Sequence, residues 1–390
     1  MTTAALQSVV LKTASRCNLD CTYCYEYNRG DTSWKTQAKK ISETTAALVG
    51  QRIAEYSEEV GAKTFAVNLH GGEPTLVGPN HLDAILTALG RSAQKTKLRF
   101  GMQTNATLIS PDLITVLKNH AVMVGASLDG DAYSNRARID QKGRPSWGAA
   151  VDGIHRLRDA GILAGIQAVI DLESEPERVL DSLAILGPSE IELGQPFGNY
   201  DNPPSVPSGR NLGDWLIRAY EHCASSPLFT DIRVNVIADA FTAILTGRSR
   251  SDWFPSASPG YLVITTDGAY EGLDTLKIVG SEGRVLGMSV DRNSIREALT
   301  HPFITARDAG LQLPTECREC EISIWCRGGY YPTRFGRGRG FDNPSIYCGS
   351  LKKLFFHLAR VTLERAALSE AERESVRARV AFLGEQLQHE

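Results

Sequence analysis

Ser8-Val9-Val10-Leu11-Lys12-Thr13 leads, after three residues, into Cys17-Asn18-Leu19-Asp20-Cys21-Thr22-Tyr23-Cys24. The first stretch is β-branched and apolar and reads as a strand. The second places three cysteines within eight residues. A strand running into a ligand-bearing loop is how a β/α unit opens, and in such folds the chemistry sits at the carboxyl ends of the strands. The alternation continues along the chain. Thr64–Leu69, Leu98–Gln103, Val122–Leu128, Ile162–Ile170 and Ile191–Leu193 read as further strands. Between them, Ser42–Tyr56 with Ser42 as N-cap, about Pro79–Arg91, a segment opened by Ser110-Pro111, about Trp147–Ala160 and Glu175–Leu186 read as helices. Six β-then-α units with buried-looking strands predict an α/β fold with a parallel sheet and right-handed crossovers. Six units rather than eight predict a partial (β/α)6 barrel of the TIM type.

Gln195–Gly213 is rich in Pro, Gly, Asn and Ser and reads as a domain boundary. Beyond it, Asp214–Ala224 and about Thr230–Leu245 read as helices. Tyr261–Thr266, the turn Asp267-Gly268 and Ala269–Leu273 read as a hairpin. Cys317–Cys348 has little regular pattern and needs something other than an apolar core to hold it. Ser350–Glu390 reads as an amphipathic helical segment, with Leu351, Leu354, Phe355 and Leu358 on one face, packed on its own chain or on a partner. The expected domains are 1–212, a partial barrel; 213–350, a loop-rich cysteine lobe; and 351–390, a terminal helical segment.

Composition excludes several classes. The 390 residues are 42% hydrophobic and 22% charged, which excludes global disorder. Lys and Arg number 42 against 45 Asp and Glu, so no basic excess calls for nucleic acid, and no polybasic run calls for a membrane surface. No apolar run approaches the roughly 18 residues that span a bilayer, and the start has no secretion signal. The expectation is a soluble, cytoplasmic protein.

Of eight cysteines, three form the first group, Cys317, Cys320, Cys326 and Cys348 form a second, and Cys223 stands alone as a small apolar residue of a helix. In a reducing compartment such clusters bind metal or work in redox chemistry. Three thiolates at the first spacing can hold three irons of a cubane and leave the fourth open, whereas most iron–sulfur clusters take four cysteines. A zinc site completed by a histidine such as His70 is the other reading.

The spacing, with Tyr23 before the third cysteine, resembles the signature of the radical S-adenosylmethionine (SAM) superfamily. Gly71-Gly72-Glu73-Pro74 after the second strand, Gln103-Thr104-Asn105 after the third and Ser127-Leu128-Asp129-Gly130 after the fourth add to the likeness. Glycines permit close backbone approach to a ligand, and a carboxylate such as Glu73 can pair with an ammonium. The resemblance implies that Gly71, Gly72, Glu73 and Pro74 hold the SAM amino group. It also implies that Asn105 and Ser127 face the ribose, and that Arg138 meets the carboxylate. It implies a [4Fe–4S] cluster on Cys17, Cys21 and Cys24, charged by a donor such as flavodoxin or ferredoxin. One electron passed to SAM then yields a 5′-deoxyadenosyl radical that takes a hydrogen atom from substrate.

The second group resembles the SPASM extension of peptide and protein maturases, although four cysteines also suit zinc. The fuller SPASM pattern has a further cysteine four residues after the third, where this chain has Tyr330, and more cysteines upstream, where Arg248–Glu316 has none. The resemblance therefore implies one auxiliary [4Fe–4S] cluster, fully ligated by Cys317, Cys320, Cys326 and Cys348, and two clusters in all. The basic loop Arg334–Arg339 reads equally as a grip for an acidic peptide or phosphate and as a solvated loop closing this lobe.

Leu11–Arg16, Asn28–Trp34, Thr266–Gly268, Leu273–Lys277 and Gly340–Ser345 together resemble the cyclophane-forming maturases of the Xye and Fxs groups. That resemblance implies a ribosomally made precursor peptide as substrate and a carbon–carbon bond from a side-chain Cβ to an aromatic ring. The ring must afterwards lose one electron and one proton; Asp267, Glu271 and Asp274 are the candidate bases. Thioether formation, epimerisation and formylglycine-type oxidation of a Ser or Cys are the alternatives. With the first strand starting near Ser8, no separate leader-binding domain is expected.

Overall fold

A computed structural model describes residues 6–249, 251–255, 260–280, 285–305, 313–365, 369–371, 373–374 and 376–377. The strands in chain order are β1 Ser8–Ala14, β2 Thr64–Gly71, β3 Lys97–Thr104, β4 Met123–Ser127, β5 Leu163–Val169, β6 Glu190–Gly194, β7 Arg233–Val234, β8 Tyr261–Ile264, β9 Ala269–Glu271 and β10 Val285–Ser289. The helices used below are α1 Glu43–Val60, α2 Pro79–Ser92, α3 Pro111–Asn119, α4 Trp147–Asp159, α5 Pro176–Ala184, α6 Leu212–Ser225 and α7 Asn235–Thr246. No helix among the described residues is long and apolar enough to cross a membrane.

The chain divides into two compact units that do not follow it linearly. The first comprises Met1–Ala168, Leu186–Ser189 and Gly260–Arg307; the second comprises Val169–Ile185, Glu190–Pro259 and Asp308–Glu390. In the first, β1 through β5 lie side by side in parallel register. The expected β/α alternation is therefore present, with a mostly parallel sheet and helices between its strands. Each strand buries one face: Val9, Leu11, Val67, Leu69, Val124 and Ala126 are fully covered. The helices start where capping chemistry places them. Ser42 accepts from Thr45 N at 3.0 Å, and α1 ends at Gly61 with φ 71°. Ser110 accepts from Leu113 N at 3.2 Å, with Pro111 in the first turn of α3.

Three features differ from the expectation. The Asp267-Gly268 hairpin forms, but β8 also runs parallel to β1, with Ser8 opposite Tyr261, and so extends the sheet. A further strand, β10, pairs antiparallel with β9. In the second unit, the helix expected from Thr230 begins at Asn235. Arg233–Val234 pairs with β6 instead, and the Asn235 carboxamide accepts from Leu193 N at 3.0 Å.

In the same unit the helix Cys348–Arg365 packs on α6 and α7 through Leu351, Leu354, Phe355 and Leu358, all buried. The apolar stripe is thus covered by its own unit. Gly213 makes the approach possible, since a Cβ there would stand 2.7 Å from Ser350 O. Most of the expected continuation to Glu390 lies outside the described residues. Cys223 is half-buried on α6, and burial, then the nearby Asp181, pushes its thiol up to about 12.

Ser110→Ala is expected to cost about 1 kcal/mol through loss of the N-cap. A lower melting temperature by circular dichroism checks it; an unchanged one would mean that tertiary packing alone sets the start of α3.

Candidate functional site

The register of β1 against β2 shifts after Lys12, and Ala14 comes opposite Gly71. From there the cysteine loop stays bonded to the end of β2: Gly72 N donates to Ala14 O and Glu73 N to Arg16 O, both at 2.9 Å. A Cβ on Gly71 would stand 2.2 Å from Ala14 O, and one on Gly72 would stand 1.8 Å from Tyr27 Oη and 2.4 Å from Arg16 O. The close approach these glycines allow is therefore to the cysteine loop itself. On its other side the loop bonds to the two residues that flank Arg138, with Asp20 N donating to Ile139 O at 2.7 Å and Thr22 N to Ala137 O at 3.1 Å.

Cys17, Cys21 and Cys24 are half-buried. Burial, then the Glu73 carboxylate, pushes the Cys17 thiol up to about 12; burial also pushes Cys21 up to about 11. Such thiols ionise when a metal centre takes them. Their donor set, three soft sulfurs on one backbone-pinned loop, suits an iron–sulfur cluster with an open iron. Among the described residues no three His, Cys, Asp or Glu side chains are placed to hold a single metal ion. His70 directs Nδ1 to Lys12 Nζ at 3.3 Å.

Glu73 is 1% exposed. Its Oε1 accepts from Thr75 N (3.0 Å), Thr75 Oγ1 (2.6 Å) and Thr104 Oγ1 (2.6 Å), and its Oε2 from Asn105 N (2.8 Å). All four donors are neutral, and among the described residues no basic side chain pairs with it. Burial holds its pKa above the usual carboxylate range. A buried carboxylate with donors but no cation is suited to receive an ammonium. Pro74 opens the short turn that follows and supplies no hydrogen to it.

Asn105 faces the cysteine loop: its Nδ2 lies 2.9 Å from Asn18 Oδ1 and 3.8 Å from Cys17 Sγ. Ser127 accepts from Gln103 Nε2 at 2.8 Å. Tyr23 donates to Asp129 at 2.5 Å and receives from Arg138 at 2.8 Å, so the aromatic before the third cysteine orients a buried guanidinium.

The three candidate bases separate sharply. Asp267 is an exposed hairpin-turn residue bonded to Thr265. Glu271 is buried on β9. Asp274 is buried and accepts from Tyr25 Oη at 2.8 Å and from Lys12 Nζ at 3.4 Å. Burial acts to raise its pKa, but Lys12, His70, Tyr25 and Lys277 together bring it down to about 2. Sequence reasoning did not anticipate the rest of this network. Lys12 reaches Glu26 at 3.2 Å, and Lys277 bonds the other Glu26 oxygen and lies 3.7 Å from Asp31. Its one local signal is a lysine at an interior position of an apolar strand.

In the second unit a small pocket is lined by Cys317, Cys320, Cys326 and Cys348, with Gly328 and Ser345 among its walls. Three consecutive left-handed residues, Arg327 (φ 56°), Gly328 (83°) and Gly329 (77°), turn the chain after Cys326. A Cβ on Gly329 would stand 2.5 Å from Ser345 Cβ, and Cys348 N donates to Ser345 O at 2.9 Å, so the turn carries Cys326 toward Cys348. Burial and the neighbouring thiols push Cys317 up to about 12 and Cys326 higher. Four soft donors around one cavity fit a closed cluster site. The basic loop beside it is engaged internally. Arg334 is buried and donates to the carbonyls of Phe341 and Asn343, Arg337 pairs with Asp201 at 3.4 Å, and Arg339 pairs with Glu316. Tyr330 is buried.

A family profile described as the Radical SAM superfamily matches residues 11–183. Over those residues the chain is similar to that superfamily. Enzymes of this superfamily use SAM and a [4Fe–4S] cluster, and the three thiols and Glu73 have the chemistry to receive them. The chain is 26% identical over 334 residues to a serine-type anaerobic sulfatase-maturating enzyme of Klebsiella aerogenes, covering 80% of this chain and 76% of that one. Its fold is similar to native anSMEcpe with bound AdoMet and Cp18Cys peptide, with TM-score 0.79 and 18% identity over 92% of this chain and 98% of that one. It is also similar to Streptococcus suis SuiB bound to precursor peptide SuiA, with TM-score 0.58 and 17% identity over 84% and 72%. The resemblance is thus to radical SAM enzymes of the SPASM maturase type.

Gly72→Ala drives a methyl into Tyr27 and Arg16. Iron content after anaerobic reconstitution is expected to fall below that of the unsubstituted protein, and full iron content would show that the loop can move aside.

Proposed function

We propose that the protein is a radical SAM peptide maturase that joins a side-chain Cβ of a ribosomally made precursor peptide to an aromatic ring, a carbon–carbon crosslink of the cyclophane type. The observation that carries this reading is the second cysteine group. Four cysteines, and no others nearby, enclose one cavity, with Tyr330 where a fuller pattern has a further cysteine. A fully ligated cluster suits the removal of one electron, as rearomatisation of a crosslinked ring requires. The peptide-bound structures of similar fold support a peptide substrate.

In this reading Cys17, Cys21 and Cys24 hold the SAM-binding [4Fe–4S] cluster, and Cys317, Cys320, Cys326 and Cys348 hold the auxiliary one. When bound, SAM and its cluster supply the radical that takes the hydrogen atom. Glu73 receives the SAM ammonium among its four neutral donors, Gly71, Gly72 and Pro74 set its position, and Asn105 and Ser127 face the ribose. Arg138, oriented by Tyr23 and Asp129, meets the SAM carboxylate. Asp274 is the base for the ring proton, because it is the candidate held ionised inside the first unit. Glu271 flanks it, and Asp267, at an exposed turn, takes no part. Flavodoxin or ferredoxin supplies the first electron.

A second reading is oxidation of a serine or cysteine to formylglycine in a sulfatase, which the Klebsiella aerogenes relative favours. Crosslinking and oxidation of a serine to formylglycine each remove two hydrogens, so mass alone does not separate these two. The test co-expresses the enzyme at low oxygen with short open reading frames beside its gene. A loss of two hydrogens, fragmentation suppressed across a three-residue aromatic stretch and no reaction with hydroxylamine support the crosslink. A hydroxylamine-reactive aldehyde overturns it in favour of oxidation. Cys21→Ala is expected to abolish the mass change. Cys320→Ala is expected to retain 5′-deoxyadenosine formation while losing product.

A further inference from the structure

Lys12 lies in the interior of β1 and is 3% exposed. An ammonium has three hydrogens and no acceptor, and all three find partners from three different segments: Glu26 Oε2 at 3.2 Å, Asp274 Oδ2 at 3.4 Å and His70 Nδ1 at 3.3 Å. Glu26 is the second residue after Cys24, and Lys277 holds its other oxygen. We propose that Lys12 is a positioning residue, whose single ammonium joins the cysteine loop, through Glu26, to the carboxylate of Asp274, with the ring of His70 as third acceptor.

Two consequences follow from the geometry. Facing a group that can only donate, His70 Nδ1 is the acceptor nitrogen and Nε2 carries the hydrogen. Burial, then Lys12, lowers the His70 pKa to about 4, so no imidazolium competes for Asp274. The groups facing Asp274 are Lys12 from β1, Tyr25 and Glu26 from the cysteine loop, His70 from β2 and Lys277 from its own segment, while Glu271 from β9 acts on Lys12. Without Lys12 the carboxylates remain, and Lys277, which pairs with Glu26, is the one lysine left among these groups. His70 then becomes a second cation, with a pKa moved up toward its ordinary range, and the Asp274 pKa rises because burial is less opposed. A carboxylate base with a raised pKa loses activity as pH falls through that new value, whereas the native one stays ionised to about 2.

This inference rests on the reading of Asp274 as base, and two measurements keep the two apart. The first is imidazole ¹H–¹⁵N NMR of His70 in the oxidised holoprotein, assigned with His70→Gln. Wild type is expected to keep a neutral Nε2–H ring down to pH 5, and Lys12→Met to show an imidazolium at pH 6. Lys12→Arg is expected to restore the neutral ring. An unchanged ring in Lys12→Met overturns the proposal whatever the enzyme's reaction. If Lys12→Met does not fold, Lys12→Gln carries the same expectation. The second is the ratio of product to 5′-deoxyadenosine against pH, with the precursor peptide found by mass. An acid limb appearing between pH 5 and 7 in Lys12→Met supports the coupling to Asp274. A flat profile beside a changed His70 overturns that coupling and the assignment of Asp274 as base.

Discussion

The close approach of the cysteine loop to the end of β2 is the constraint on which the first unit's site depends. Two backbone hydrogen bonds, from Gly72 N to Ala14 O and from Glu73 N to Arg16 O, leave no room for a side chain at Gly71 or Gly72. The same contact that pins the cysteines buries Glu73 beside them, so the cysteine loop and this carboxylate are placed by one piece of main chain. Thr104, the last residue of β3, and Asn105 just after it complete the arrangement, each donating to Glu73, and Asn105 also reaches back to the loop through Asn18. Main-chain bonds hold such geometry better than flexible side chains, because little rotamer freedom remains to blur it.

Charge is handled differently on the two sides of the loop. Toward Glu73 a carboxylate is buried among four neutral donors, with no basic side chain paired to it among the described residues. Toward Asp274 two buried lysines and several buried carboxylates neutralise one another. Burying charge is costly unless each group is paired, and removing one partner of such a pair typically costs about 3–5 kcal/mol because the other is left stranded. The Lys12, Glu26, Lys277 and Asp274 set is therefore a rigid feature. It ties β1, the segment after Cys24 and the segment after β9 together at ion-pair distances.

Around the second cysteine group the backbone itself makes the turn. Arg327, Gly328 and Gly329 in succession adopt left-handed conformations, which only glycine does without cost. The resulting turn brings Cys326 to the same cavity as Cys317, Cys320 and Cys348. Arg334, covered and capped by main-chain carbonyls, closes a loop that a reading of charge alone would leave in solvent.

Much of this was legible in the sequence, and the divide is one of range. Helix starts at Ser42 and Ser110, the alternation of strand and helix segments and the grouping of cysteines are local properties: a cap bonds three residues ahead, and a strand alternates with period two. The need for glycine at 71 and 72 was visible, but its reason was not, since the atoms it avoids belong to Ala14, Arg16 and Tyr27. Lys12 meets Asp274 across 262 positions, and Lys277 meets Glu26 across 251. No spacing rule reaches that far. Local chemistry in the chain determined the α/β alternation and the soft-donor groups. Only the tertiary structure decided which carboxylate stands ionised beside the cysteine loop, because burial and pairing, not residue type, set its charge.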